Sequence, residues 1–111
     1  MNIAKTELKR CILFNITGRI DSGTAPTMQT AINEVTEAGN FKLVLDMSEV
    51  DFISSAGLWV LVNAQKNCKR FNRGEVVLAD VQKRVHAALD LAGFIPYFKI
   101  FEDSTMAVGH F

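Results

Sequence analysis

The chain has 111 residues, of which 49% are hydrophobic and 22% charged, the length and balance of one domain with its own core rather than of a disordered segment. Twelve Lys and Arg are matched by twelve Asp and Glu, so there is no global field to draw the protein onto nucleic acid or an anionic membrane, and partners must be found by shape and local contacts. The opening Met1-Asn2-Ile3-Ala4-Lys5-Thr6-Glu7 turns polar too early for a signal peptide and no apolar run approaches the roughly 20 residues of a membrane span, so the expectation is a cytoplasmic protein.

The first signals along the chain are those of a hairpin. Ile3 to Thr6 and Cys11 to Ile16 flank the polar turn Glu7-Leu8-Lys9-Arg10, and the second run is rich in strand-forming residues and ends at Thr17-Gly18. After Ile20-Asp21-Ser22-Gly23 the apolar period changes. Ala25, Met28, Ala31/Ile32, Val35 and Ala38 recur every three or four residues, which predicts an amphipathic helix. Thr24 or Ser22 is expected to cap it, Pro26 fits its first turn and Gly39 ends it. Phe41, Leu43, Val44 and Leu45 then form an apolar run without alternation, as a strand covered on both faces requires.

Ser54 and Ser55 stand at the expected N-terminus of the next helix, in which Leu58, Leu61, Ala64, Cys68 and Phe71 share one side at about 100° per residue. Trp59, Asn63, Lys66 and Arg70 fall on the other side. Lys66, Lys69, Arg70 and Arg73 crowd the C-terminal end, where cations complement the helix dipole, and Gly74 closes it; this basic cluster reads as a solvated helix face. Glu75 to Ala79 is the next buried strand. Asp80 is expected to cap a helix carrying Val81, Val85, Ala88, Leu89 and Ala92, stopped by Gly93 with Pro96 beyond it. A short strand from Tyr97 to Phe101 and a terminal helix beginning near Asp103-Ser104 follow. Strands alternating with helices after a hairpin imply right-handed crossovers, hence an α/β fold with a mixed, largely parallel β-sheet packed with α-helices and an N-terminal β-hairpin. Cys11 and Cys68 read as buried free thiols of a reducing compartment rather than as a disulfide or metal pair.

The stretch from Leu43 to Leu58 delivers serine hydroxyls to a helix N-terminus, where a side-chain oxygen caps orphan N–H groups and where a phosphate is best accommodated. A serine so placed is either a cap or a switch. The same strand-to-helix geometry serves hydrolases, but Gly-x-Ser-x-Gly is absent around Ser55, and the two histidines, His86 and His110, have no evident carboxylate to orient them. Phosphate-binding glycine loops and dense Cys/His spacing are also missing. The sequence therefore assigns no catalytic residue, cofactor or metal ligand and favours a binding module over an enzyme.

Leu13-Phe14-Asn15-Ile16-Thr17-Gly18-Arg19-Ile20-Asp21 and, above all, the run from Leu43 to Leu61 with its Asp51-Phe52-Ile53-Ser54-Ser55-Ala56-Gly57-Leu58 core resemble the STAS domain family, specifically the bacterial anti-sigma factor antagonists. The Asp90-Leu91-Ala92-Gly93-Phe94 stretch fits as well. This resemblance implies a single STAS domain over residues 1–111. It further implies that the unphosphorylated protein binds an anti-sigma factor that is also a serine kinase, freeing sigma factor. Phosphorylation of the serine two residues before the motif glycine, Gly57, switches binding off, and a PP2C-type phosphatase restores it. Ser55 is the matching serine. Ser54 stands where many relatives carry Asp and Ala56 where many carry Ser or Thr, departures that leave the acceptor intact and bear on the choice of kinase. The implied partner surface comprises Asp21, Ser54, Ser55, Gly57, Trp59 and Asn63, without direct contact to nucleic acid. Asp21 and Asp46 are read as turn and strand-end residues beside it. Trp59, on the polar side of its helix, suits an interface hot spot; the competing expectation is that the loop from Ile20 to Gly23 covers it within the monomer. The alternative function is a constitutive STAS subunit of a stressosome or lipid-transport complex in which Ser55 is never phosphorylated.

Overall fold

The β-forming runs line up edge to edge in chain order. The computed structural model describes residues 1–111. In it β1 (Asn2–Glu7) pairs antiparallel with β2 (Ile12–Thr17), and β3 (Lys42–Glu49), β4 (Glu75–Ala79) and β5 (Lys99–Phe101) follow in parallel, giving the sheet order β1-β2-β3-β4-β5. The crossovers contain α1 (Ala25–Glu37), α2 (Ser55–Lys69) and α3 (Lys83–Leu91), and α4 (Ser104–Gly109) closes the chain.

Alternation along the strands divides their side chains between two unequal cores. Phe14 and Ile16 of β2, Leu43, Leu45 and Met47 of β3, and Val76 and Leu78 of β4 meet Met28 and Ile32 of α1, Leu58 and Leu61 of α2, and Val85 and Leu89 of α3. The opposite face contributes Val44, Val77 and Ala79, which join Cys11 beneath Ala107 of α4. Both faces of β3 are covered, which is why its first half shows no polar alternation. Cys11 and Cys68 are free and buried as expected; burial pushes the Cys68 thiol up to about 11 against the opposing pull of Arg73, which leaves it unreactive.

Gln65 is a polar residue inside the main core, 4% exposed. Its Nε2 donates to the carbonyls of Val76 (2.9 Å) and Tyr97 (2.7 Å), and its Oε1 accepts from the Val76 amide at 2.6 Å. The pairing of β4 with β5 begins only at Val77 and Lys99, so Gln65 supplies at Val76 the hydrogen bonds that a longer β5 would have made.

Several local expectations give way to tertiary constraints. α2 stops at Lys69, and Phe71 is not part of its apolar stripe: Phe71 and Asn72 turn back with φ of 57° and 59°, leaving the Phe71 side chain 84% exposed. The turn brings Gly74 against the residue preceding β3, where an added Cβ would lie 2.3 Å from the Phe41 carbonyl oxygen. Asp80 does not cap α3. It adopts φ 52° at the end of β4, and the cap position falls to Gln82, whose side chain instead donates to the Ser48 carbonyl at 2.6 Å. Tyr97 belongs to a 3-10 turn, Ile95–Tyr97, that Pro96 favours, so β5 starts later than expected. Asp46 lies within β3 rather than at its end, its carboxylate accepting from Asn15 Nδ2 (3.1 Å) and from the Ser48 amide (3.0 Å).

Candidate functional site

The segment between the end of β3 and the start of α2 is tied to the loop between β2 and α1 along its length. Gly18 N–H donates to the Glu49 carbonyl (3.0 Å), Ile20 N–H to that of Phe52 (2.9 Å), and Ser54 N–H to that of Ile20 (2.7 Å). Ile20 and Ile53 form an isolated parallel bridge, and both side chains are buried. The two loops therefore act as a short extension of the sheet that fixes the entry of α2.

At that entry the two serines separate in role. Ser54 is the N-cap: it is extended, and its Oγ accepts from the Gly57 amide at 3.3 Å while its carbonyl accepts from Leu58 N–H at 2.9 Å. Ser55 is the first helical residue. It is exposed, and no protein group hydrogen-bonds its hydroxyl. α2 has no acidic residue in its first turn and carries Lys66 and Lys69 in its last, so its N-terminal dipole is available to an anion at Ser55. Gly57 is buried, and a Cβ there would come within 2.5 Å of Ile20 Cγ2 and 2.7 Å of Ile53 Cγ1. Glycine at this position lets the first turn of α2 sit directly against the two isoleucines.

Asp21 organises the facing loop. Its Oδ1 accepts from the amides of Gly23 (2.9 Å) and Thr24 (3.0 Å), while Thr24 Oγ1 accepts from Asp21 N–H (2.9 Å) and donates to the Arg19 carbonyl (2.8 Å). The Thr24 amide, more than any other partner, holds the Asp21 carboxyl below the ordinary range, with the Thr24 hydroxyl, the Gly23 amide and Arg19 adding to it against partial desolvation. Thr24 occupies the N-cap position of α1, but it is the Asp21 side chain that satisfies the local amides.

Trp59 and Asn63 follow Ser55 along the exposed side of α2. Trp59 is 53% exposed. Its one aromatic neighbour is Phe94, edge to face at a centroid distance of 5.5 Å, and Phe94 in turn meets Tyr97 at 5.9 Å. This partial cover comes from the turn after α3, not from the Ile20–Gly23 loop that the competing expectation named. Beside the serines, Phe52 carries two guanidinium groups that sequence reasoning missed: Arg19 stands 4.2 Å and Arg84 5.9 Å from its ring centroid. Aromatic side chains so distant in sequence carry no local signal of meeting.

His110 has a carboxylate partner after all, correcting the expectation from sequence: its Nε2 lies 2.6 Å from Glu75 Oε1. Glu75 opens β4 opposite Lys42, the first residue of β3, whereas Ser55 follows the other end of that strand. The eight residues of β3, at about 3.3 Å each, separate the two by roughly 25 Å. His110 and Glu75 are thus no catalytic partners of Ser55.

The STAS domain family model matches residues 2–107. The anti-sigma-F factor antagonist RsfB of Mycobacterium tuberculosis is 32% identical over 90 residues, covering 80% of this chain and 71% of that one. Among solved structures, an anti-sigma factor antagonist from Mycobacterium paratuberculosis superposes with a TM-score of 0.84 at 23% identity, over 98% of this chain and 92% of its own. The anti-sigma factor antagonist SpoIIAA in its unphosphorylated form gives a TM-score of 0.83 at 11% identity, over 98% of this chain and 95% of its own. The Bacillus SpoIIAA in its phosphorylated form gives 0.76 at 11% identity, over 98% of each chain. Those solved structures bear on the fold, while the family match and RsfB bear on ancestry: with its five-stranded mixed sheet, antiparallel N-terminal pair and serine-opened second helix, the chain belongs to the STAS domain family.

Proposed function

We propose that this STAS domain is an anti-sigma factor antagonist that switches partners through Ser55. The unmodified protein binds an anti-sigma factor with serine kinase activity in the cytoplasm and so releases sigma factor; phosphorylation of Ser55 ends that binding, and a PP2C-type phosphatase restores it. The role is regulatory and requires no catalysis by this chain. The observation that carries the reading is the division of labour between the serines: Ser54 caps α2 and Ser55 is exposed with its hydroxyl unengaged. The name of RsfB supports the antagonist role, and the existence of SpoIIAA in both forms supports phosphorylation as compatible with this fold.

The physical action of the phosphate is local. It adds about −1.5 to −2 charge at a helix N-terminus that favours it, so the fold survives. For a partner, the same charge lands inside the footprint of Ser55, Trp59 and Asn63, where it must be desolvated or avoided. Incubation with the cognate anti-sigma kinase and ATP, followed by phosphosite mapping, tests the assignment. Phosphate is expected on Ser55 in the parent and in Ser54→Ala, and none on Ser55→Ala; modification confined to Ser54, or none at all, rejects it.

A further inference from the structure

We infer that the pole of the molecule opposite Ser55 is a docking surface for an anionic membrane, built from a basic depression with two exposed apolar tips. The balanced total of twelve cations and twelve anions conceals a local basic cluster that the fold creates. At the Ser55 pole, Asp21, Glu49, Asp51 and Asp80 lie at or just beyond the C-terminal ends of strands, with Arg19 and Arg84 stacked on Phe52 among them. At the other pole, the turn between β1 and β2, the start of β3 and the turn after α2 enclose a depression of about 180 Å³. Lys9, Arg10, Lys42 and Arg73 line it together with Leu8 and Phe41, and no carboxylate does. The salt bridges of the structure are Lys5 to Glu7 and Lys99 and His110 to Glu75, so all four lining cations are without a counter-ion. Lys69 and Arg70, exposed at the end of α2, extend the positive surface. Of the acidic residues at this pole, Glu7 and Glu75 are already paired, which leaves Glu37 at the end of α1.

The depression is preorganised. Arg73 Nη2 donates to the carbonyl (2.6 Å) and side-chain oxygen (3.1 Å) of Asn67, Nε donates to the Arg70 carbonyl (3.1 Å), and the guanidinium stacks 3.8 Å from the Phe41 ring centroid. The same guanidinium is 5.8 Å from the ring of Phe71. Phe71 holds φ 57°, a conformation uncommon for a bulky residue, and is 84% exposed; Leu8, across the depression, is 39% exposed. The turn that brings Gly74 against Phe41 thus leaves an aromatic ring in water, where it buries little apolar area in the monomer. Apolar tips flanked by unpaired cations fit the boundary between anionic headgroups and acyl chains. A single Phe and a Leu, which has no π-face, make a poor stacking platform for single-stranded nucleic acid. Docked this way, the protein would present Ser55 away from the lipid, so the inference is independent of the switch.

The test is flotation of the full chain with phosphatidylcholine vesicles, with and without phosphatidylglycerol. Binding is expected only when phosphatidylglycerol is present and should weaken with salt. Lys69→Gln and Arg70→Gln should each lower affinity about fivefold. Phe71→Asn, which suits the left-handed conformation and so preserves the fold, should lower it about tenfold, and Leu8→Ser provides a second apolar variant at an independent turn. No binding to the anionic vesicles, equal binding to pure phosphatidylcholine, or unchanged binding by both apolar variants overturns the inference. Binding to DNA under the same conditions without vesicle binding overturns it in favour of a nucleic-acid surface.

Discussion

Replacing Gly57 by alanine sets two opposing effects against each other at the base of the candidate site. The added Cβ would stand 2.5 Å from Ile20 Cγ2 and 2.7 Å from Ile53 Cγ1, against an ordinary carbon contact of about 3.5 to 4.0 Å. Both isoleucines are buried, at 0% and 5% exposure, and their branched side chains cannot rotate away cheaply. Overpacking of this kind costs about 1–3 kcal/mol, and two contacts short by about 1 Å place it at the upper end. The gain in helix propensity from glycine to alanine returns about 1 kcal/mol. The net expectation is a loss of about 2 kcal/mol, or a thermal midpoint lower by about 8 °C for a chain of this size. Thermal unfolding followed by circular dichroism reads it directly. In the Gly57→Ala background, Ile20→Ala should cost less than it does in the parent, by about 1 kcal/mol, because it removes one of the clashing atoms. An unchanged or raised midpoint for Gly57→Ala would refute the packing argument.

Three further outcomes follow from contacts elsewhere. Gln65→Leu strands the Val76 amide and the Val76 and Tyr97 carbonyls, and at about 1–3 kcal/mol per stranded group should cost about 3 kcal/mol or more in urea unfolding; a loss below about 1 kcal/mol would contradict the account of that bridge. Trp59→Ala removes a half-exposed ring and one edge contact, so it should lower stability by about 1 kcal/mol yet weaken partner binding by about 2 kcal/mol or more; a large stability loss with affinity intact would assign Trp59 to the monomer. Burial raises the Glu75 carboxyl, but the His110 hydrogen bond and the charges of Lys99, His110 and Lys69 outweigh it and hold it below its ordinary value of 4.5. A depressed carboxyl stabilises the fold fully above that value and loses the contribution as pH falls through the lower folded value. Glu75→Gln should therefore flatten the acid limb of the stability curve, and parallel curves for parent and variant below pH 4.5 would argue against this role.

Much of the fold was legible in the sequence because its strands and helices announce themselves locally: β-branched runs, three- and four-residue apolar periods and glycine stops. The misreadings share a cause in contacts between distant residues. Periodicity carried Phe71 into the apolar stripe of α2, but α2 ends at Lys69 and the chain turns back at Phe71 to bring Gly74 against Phe41. Polar Asp46 and Ser48 disguised the second half of β3, whose backbone continues to pair, Asp46 opposite Ala79. The motif placed Ser54 and Ser55 at a helix entry, with Ser54 expected as the cap or a secondary site, and the hydrogen bond from Gly57 to Ser54 shows it as the cap. Phe94 beside Trp59, Glu75 beside His110 and the arginines on Phe52 were invisible for the same reason, since nothing near those residues in sequence marks their partners.

The central claim is that charge on Ser55 dismisses the partner without disturbing the fold. Its most direct test is to prepare the chain fully phosphorylated on Ser55 and measure its affinity for the cognate anti-sigma factor beside that of the unmodified protein, with the thermal midpoint of each. The account predicts closely similar midpoints and an affinity at least about 100-fold weaker for the phosphorylated form. Equal affinities, or a phosphorylated protein that unfolds, would contradict it.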